Sequence, residues 1–233
     1  MADILGLHGL RSGYGDFQAL FDVSFALREG TLLGLVGANG AGKSTLFKAI
    51  LGVLPRERGM VTFRGQPIGD RSPEAMAQLG IAIVPEGRRL FRSLSVEENL
   101  RLAGEYGRRG DWTLERVYGL FPILRDRARQ PATQMSGGQQ QMVAIGRALM
   151  ANPSVILFDE ISLGLAPIVV ADVYAAMPAI AASGISAIVV EQDVNRVLRM
   201  AQDLVCLNEG RVVLSGRAAD LTKAQITAAY FGE

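Results

Sequence analysis

The stretch Leu32-Leu-Gly-Leu-Val-Gly-Ala-Asn-Gly-Ala-Gly-Lys-Ser44 gives the first indication of the fold. Its apolar first part, Leu32–Val36, has the length of a strand and leads into the pattern G-x-x-x-x-G-K-[ST] at 37–44. Glycines let successive backbone N–H groups approach anionic oxygens, and the start of a helix at Lys43 would add the positive end of its dipole. The sequence therefore predicts a phosphate-binding loop between a strand and a helix.

The loop residues have distinct expected roles. Lys43 is expected to reach the β- and γ-phosphates of a nucleotide and so to act in catalysis, and the Ser44 hydroxyl is expected to bind Mg²⁺. The residues expected to bind ATP here are Gly37, Ala38, Asn39, Gly40, Ala41, Gly42, Lys43, Ser44 and Thr45. The alternative is an ordinary glycine-rich turn, which the flanking strand and helix disfavour.

A second apolar run, Val155–Phe158, ends in two acids, Asp159 and Glu160. Asp159 would lie at the carboxyl end of a strand, where open α/β sheets bind ligands, and is expected to hold Mg²⁺ through a water. The Glu160 carboxylate would then lie near the γ-phosphate and is the expected base for the attacking water. Together with the phosphate loop, this pattern indicates an ATPase.

Short apolar runs alternate with helical stretches along most of the chain, which predicts an α/β fold. Several runs are apolar at consecutive positions, as in parallel strands that are covered on both faces. The predicted strands are Leu32–Val36, Met60–Phe63, Ile81–Val84, Val155–Phe158, Ile185–Val190, Leu204–Leu207 and Arg211–Leu214. The predicted helices include Lys43–Leu54, Glu74–Leu79 and Gln139–Met150, and a helix after Pro167 is expected to kink or stop near Met177 because of Pro178.

The middle of the chain has a different pattern, with helices and no clear strands from Glu86 to Gln134. Ser95 and Glu98 have the spacing of a capping box, and a second helix is expected from Thr113 to Leu120. We interpret residues 88–134 as a helical insert in the α/β core.

Composition narrows the class of function. The 24 basic and 23 acidic residues nearly cancel, which argues against a general nucleic-acid binder. The single cysteine, Cys206, excludes an internal disulfide and suits a reducing compartment. The sequence shows neither a signal-peptide pattern nor an apolar run of membrane-spanning length, so any membrane role is expected to come through a partner.

The segment Met135-Ser-Gly-Gly-Gln139, with the helical stretch that follows it, resembles the LSGGQ signature of ABC ATPases. Two such subunits pack head to tail, so the resemblance implies that Ser136, Gly137, Gly138 and Gln139 contact ATP held by a second subunit. A serine and two glycines at a helix start also suit an anion, although an ordinary helix cap is the alternative. The resemblance covers essentially the whole chain.

For the fold, the resemblance implies one ABC ATPase domain over 1–233. Its α/β core, 1–87 and 135–233, would be a RecA-like P-loop NTPase with a mostly parallel sheet and a small antiparallel β subdomain. Tyr14 stands where the family stacks an aromatic ring on adenine, and Ser162–Pro167 resembles the D-loop of the dimer interface. Within the family, the chain resembles the smaller ATPase subunit of branched-chain amino-acid importers, at Val84–Phe91, Ser95–Leu100, Val190–Gln192 and Ala229–Gly232.

Three positions differ from the general family pattern. Glu86 replaces the glutamine that senses Mg²⁺ and the transmembrane partner, and Gln192 replaces the switch histidine. Both changes recur in the branched-chain subfamily, so Glu86 is expected at the metal and Gln192 at the γ-phosphate. The alternative for Gln192 is that it caps a helix beginning near Val194. Ile161 replaces a proline and has no functional interpretation.

The resemblance thus implies an ATP-hydrolysing importer subunit for branched-chain or other hydrophobic amino acids, with Mg²⁺ as cofactor. Expected partners are a second ATPase subunit, integral-membrane permeases that dock along Glu86–Leu100, and indirectly a solute-binding protein. These would hold the subunit on the cytoplasmic face of the membrane. Alternatives are a related transporter for urea, amides or lipopolysaccharide, a soluble ABC ATPase, and a nucleotide-gated module that does not hydrolyse ATP.

Overall fold

The computed structural model describes residues 2–231, so Gly232 of the family resemblance lies outside the described residues. The chain divides into two compact units, residues 1–76 with 186–233 and residues 77–185. Among the residues described, none of the helices combines the length and apolar character that crossing a bilayer requires.

Strands and helices alternate as the sequence predicts for an α/β fold. The strands are β1 (Asp3–Tyr14), β2 (Phe17–Arg28), β3 (Leu32–Val36), β4 (Val61–Phe63), β5 (Gln66–Pro67), β6 (Ile81–Val84), β7 (Val155–Asp159), β8 (Ser186–Val190), β9 (Asp203–Asn208) and β10 (Arg211–Arg217). The helices are α1 (Lys43–Ile50), α2 (Pro73–Leu79), α3 (Val96–Tyr106), α4 (Leu114–Leu120), α5 (Pro122–Asp126), α6 (Gly137–Met150), α7 (Pro167–Ala175), α8 (Met177–Ala182), α9 (Val194–Met200) and α10 (Lys223–Phe231).

The first unit contains two sheets. One is antiparallel with the order β2-β1-β4-β5, which confirms the small antiparallel subdomain. In the other, β3 lies between β8 and β9 and is parallel to both, while β10 pairs antiparallel with β9. Every residue of β3 and β8 is buried, as their continuous apolar runs predict. Because Leu35 pairs with Val190, β3 and β8 end at the same edge of the sheet.

The second unit combines two parallel strands with helices. β6 pairs with β7, and Val84 lies opposite Phe158, so these strands also end together. The longest helix, α6, contacts α3 and α7. Gly146 of α6 lies so close to Val117 and Leu100 that an added Cβ would be 2.8 and 2.9 Å from their side chains. The helices α3 and α4 therefore pack directly on α6.

Most of the predicted elements are confirmed, with small shifts at their ends. The Ser95–Glu98 capping box is present, and the helix after Pro167 breaks into α7 and α8 where Pro178 predicts it. The prediction that α1 extends to Leu54 is wrong, because Gly52 has φ 79° and ends the helix in a left-handed turn. The two long strands β1 and β2 were not predicted from periodicity.

Candidate nucleotide site

The phosphate loop follows β3 in the first unit, and its backbone requires glycine. A Cβ added to Gly37 would lie 2.2 Å from the Leu207 carbonyl oxygen, so the loop can pass β9 only without a side chain. Gly42 has φ 103° and directly precedes α1. These constraints produce the close turn at a helix start that binding of phosphate oxygens needs.

Lys43 folds back over the loop that precedes it. Its side chain is almost fully buried, and Nζ donates to the carbonyl oxygens of Gly37 at 2.7 Å and Ala38 at 3.0 Å. The ammonium group therefore lies within the curve of the loop, where an anion would meet it. Ser44 is exposed at the start of α1, so its hydroxyl oxygen is accessible to a metal ion.

Tyr14 ends β1 with its ring beside α1. The ring is 45% exposed, the Lys48 ammonium donates to the phenol oxygen at 3.0 Å, and the Thr45 hydroxyl lies 3.4 Å from that oxygen. The hydrogen bond with Thr45 lowers the pKa of Tyr14 most, and the hydrogen bond with Lys48 lowers it further. The ring is thus fixed at one edge while a large part of its surface stays accessible for stacking.

Gln192 lies just beyond the carboxyl end of β8, at the same sheet edge as the phosphate loop. Its side chain is exposed, which suits a contact with a ligand. The idea that Gln192 caps the following helix is wrong. The N-cap is Asp193, whose carboxylate accepts from the Arg196 backbone N–H at 3.2 Å.

In the second unit, the acidic residues predicted for the site lie at the carboxyl ends of β6 and β7. Glu86 is exposed two residues beyond the end of β6, and Asp159 is the last residue of β7 and is buried. Glu160 has φ 48°, which is uncommon for a residue with a side chain and costs about 1–3 kcal/mol. The Glu160 backbone thus lies directly after the buried Asp159, at the carboxyl end of β7.

The signature begins α6 with a capping box. The Ser136 hydroxyl accepts from the Gln139 backbone N–H at 3.3 Å, and the Gln139 side chain accepts from the Ser136 backbone N–H at 3.1 Å. The ordinary capping role considered for this serine is therefore present. It does not exclude a contact with nucleotide, because Ser136 is exposed at the positive end of a 14-residue helix.

Two residues that the sequence analysis did not assign organise the loop between β6 and α3. Asn99 is fully buried, and its amide group bonds the carbonyl oxygens of Phe91, Leu94 and Ser95 and the Phe91 N–H. Its sequence signal is a polar residue on the buried face of α3, between Val96 and Leu100.

Arg147 fixes the same loop from α6. It donates to the carbonyl oxygens of Arg88 and Arg89, and burial lowers its pKa. Arg88 and Arg89 both have positive φ, 64° and 46°. The loop borders a cavity of about 500 Å³ that is lined by Gly87, Arg88, Arg89, Leu90, Arg92, Thr133 and Gln140.

Removing the amide of Asn99 should destabilise the second unit. Asn99→Ala removes a fully buried amide together with its four hydrogen bonds to the part-buried loop backbone, so we expect a loss of about 2–4 kcal/mol in the free energy of unfolding. Gln130→Ala is the control. The two hydrogen bonds of this half-buried side chain are both as long as 3.5 Å, so its loss should change the free energy of unfolding by less than about 1 kcal/mol. Urea denaturation checks both, and a loss below about 1 kcal/mol in Asn99→Ala would contradict the role given to this residue.

A parallel strand, a glycine loop that opens a helix, and acids at the end of a second strand define a P-loop nucleotide hydrolase. The family profile described as ABC transporter matches residues 20–162. The chain belongs to the ABC transporter family, and it is an ATP-hydrolysing cassette of that family.

Relatives and solved structures agree with this assignment. The chain is 41% identical to the high-affinity branched-chain amino acid transport ATP-binding protein BraG of Pseudomonas aeruginosa, over 94% of this chain and 95% of that protein. It is 33% identical to the probable branched-chain amino acid transport ATP-binding protein LivF of Archaeoglobus fulgidus, over 91% of each. A crystal structure of an ABC transporter cassette in its ADP conformation matches with a TM-score of 0.84 and 28% identity, covering all of both chains. This similarity confirms the predicted P-loop NTPase fold.

Proposed function

We propose that this chain is the ATP-hydrolysing subunit of an importer for branched-chain or other hydrophobic amino acids. The observation that carries the proposal is the 41% identity to BraG over nearly the full length of both proteins. The similarity to LivF supports the same function, since the name of that protein also specifies branched-chain amino acid transport. Residues 88–134 would form the helical insert of a single functional domain over 1–233.

The proposed nucleotide-binding residues follow from the roles that the family resemblance implies. Tyr14 stacks on adenine, and Gly37–Thr45 bind the phosphates. Three observations support these roles. The backbone at Gly37 passes so close to Leu207 that it leaves no room for a side chain, Lys43 is buried in the loop, and the Tyr14 ring is exposed. Ser136, Gly137, Gly138 and Gln139 would contact ATP held by a second subunit. The exposure of Ser136 at the N-terminus of α6 supports this role.

Mg²⁺ would be held by Ser44, Glu86 and Asp159. Their donor atoms are hydroxyl and carboxylate oxygens, which are the ligands that Mg²⁺ prefers. Among residues 2–231 no cluster of three or more histidine, cysteine or acidic side chains could hold a metal by itself. Mg²⁺ in nucleotide sites is bound through one or two carboxylates together with phosphates and waters, so this finding is compatible with the proposal. When bound, the ion would neutralise charge on the phosphates.

Hydrolysis would use three side chains of this chain. Glu160 accepts a proton from the attacking water as a general base. Its position directly after Asp159, at the end of β7, supports this role. The Lys43 ammonium stabilises negative charge on the transferring phosphoryl group, and the Gln192 amide donates to an oxygen of the γ-phosphate. Gln192 has the exposure that this contact needs.

Two subunits would bind two ATP molecules between them, with each signature closing on the nucleotide of the other subunit. The permease subunits would dock along Glu86–Leu100. The loop in this segment is held in a fixed shape by Asn99 and Arg147, and Phe91 is 48% exposed on it. Permease binding would place this subunit on the inner face of the membrane.

Uptake measurements test the proposal. In cells that lack this chain, we expect uptake of labelled leucine, isoleucine and valine through its transporter to fall to background. Wild-type chain should restore uptake, whereas Lys43→Met should not, because the ammonium that stabilises the transferring phosphoryl group is lost. Labelled urea provides the control for a related transporter. Unchanged uptake of all three amino acids, or loss of urea uptake alone, would contradict the proposal.

A further inference from the structure

The residue before Gln192 is a glutamate at a position where a charged side chain is costly. Glu191 is only 2% exposed and directly follows the last residue of β8. Burial of a carboxylate is unfavourable unless charged partners and hydrogen-bond donors compensate for the loss of water. The contacts of Glu191 show what compensates for it here.

The carboxylate belongs to a network of hydrogen bonds and ion pairs on both sides of residue 192. Oε2 of Glu191 accepts from the backbone N–H of Gln192 at 3.2 Å and from Nη1 of Arg196 at 3.4 Å. Nη2 of Arg196 lies 3.4 Å from the Asp193 carboxylate, which also caps α9. The backbone is therefore fixed on both sides of Gln192, by the buried carboxylate before it and by the capped helix after it.

The network is also joined to the strand that leads into the phosphate loop. The backbone N–H of Glu191 donates to the carbonyl oxygen of Leu35 at 3.4 Å, and Leu35 pairs with Val190 in the parallel sheet. Leu35 lies two residues before Gly37, and all these residues belong to the first unit. Residue 192 is thus held in a defined position relative to β3.

We propose that Glu191, paired with Arg196, is a positioning residue that orients Gln192 for ATP hydrolysis. This inference rests on the role proposed above for Gln192. An exposed glutamine has many rotamers, and fixing its backbone reduces the freedom that is lost when the amide meets the γ-phosphate. Glu191 acts through Gln192, because its carboxylate accepts from the backbone N–H of Gln192 and from Arg196.

Glu191→Gln tests this role because it keeps the shape of the side chain and removes its charge. We expect kcat for ATP hydrolysis to fall by about tenfold, while KM for ATP changes by less than about twofold. Arg196→Met should give the same split, because it removes the cation of the pair. Arg196→Lys keeps a positive charge and should restore most of kcat. Steady-state phosphate release at several ATP concentrations gives both constants.

A double-mutant cycle separates positioning from a general effect on the fold. If Glu191 acts through the amide of Gln192, then adding Glu191→Gln to Gln192→Ala should lower kcat by less than about twofold further. Ser186→Ala is the control, because its buried hydroxyl at the other end of β8 accepts from the Gly30 N–H at 2.8 Å. That variant should lower the unfolding temperature without the selective loss of kcat.

The outcomes distinguish the inference from the function on which it rests. If Gln192→Ala hydrolyses ATP at the wild-type rate, the role of Gln192 fails and the inference fails with it. If Gln192→Ala is slow but Glu191→Gln lowers kcat equally in both backgrounds, only the inference is overturned. A Glu191→Gln variant that keeps wild-type kcat, or that loses kcat only in proportion to its ATP affinity, would also overturn it.

Discussion

Replacing Glu160 by glutamine is expected to slow ATP hydrolysis by about 10²–10⁴-fold, the range of general base catalysis, while ATP affinity stays within about threefold. The amide cannot accept the proton of the attacking water, but it has the size of the carboxylate. Phosphate release measures the rate, and a fluorescent ATP analogue measures the affinity. The unhydrolysed ATP should also hold two subunits together as a dimer, which light scattering detects.

Glu209→Gln is a matched control for this prediction. Glu209 is also a glutamate in left-handed backbone, with φ 44°, but it lies in the turn between β9 and β10. The control removes the same charge at the same kind of backbone position, so it should hydrolyse ATP at nearly the wild-type rate. Normal hydrolysis by Glu160→Gln would remove this glutamate from the mechanism.

Replacing Ser136 by arginine is expected to abolish the ATP-dependent dimer that Glu160→Gln traps. Ser136 is exposed at the positive end of α6, where a bulky cation is repelled by the helix dipole and blocks the approach of a second subunit. The ATP affinity of the monomer should change by less than about twofold, because the subunit binds ATP with its own phosphate loop, which the substitution does not alter. In the variant that carries both Glu160→Gln and Ser136→Arg, light scattering measures dimer formation and ATP titration measures the affinity.

Ser95→Arg controls for the loss of a helix cap. Ser95 and Ser136 both belong to complete capping boxes, so each arginine variant loses a cap worth about 1 kcal/mol. Only the variant at the signature should lose the dimer. A large fall in monomer ATP affinity for Ser136→Arg would show that the signature does not act on a second subunit.

The parallel core could be predicted because its strands contain runs of consecutive apolar residues, whereas β1 and β2 could not. In that pair Gly9 and Asp22 both have left-handed backbone, with φ 58° and 61°. The register also shifts between Leu7 and Leu10, so the alternation of buried and exposed residues is interrupted. Periodicity therefore failed here, and only the family resemblance indicated an antiparallel sheet.

Some features of the candidate site could likewise be predicted from the sequence, and others could not. The phosphate loop could be identified from the order of its residues, because the groups that bind phosphate belong to consecutive residues of the chain. The roles of Asn99 and Glu191 depend on carbonyl oxygens and an arginine that their spacing in sequence does not specify. The strained backbone of Glu160 could not be predicted either, since glutamate has no preference for that conformation.

The contact between α6 and α7 has a consequence for reading sequence variation in this chain. A Cβ on Gly138 would lie 1.8 Å from Cγ1 of Val169, so the two helices touch where a side chain would stand. Any substitution of this glycine must separate the signature from the helix that follows the D-loop. A damaging variant at position 138 therefore reports on how two helices of one subunit fit together, and cannot by itself be scored as a lost contact with nucleotide.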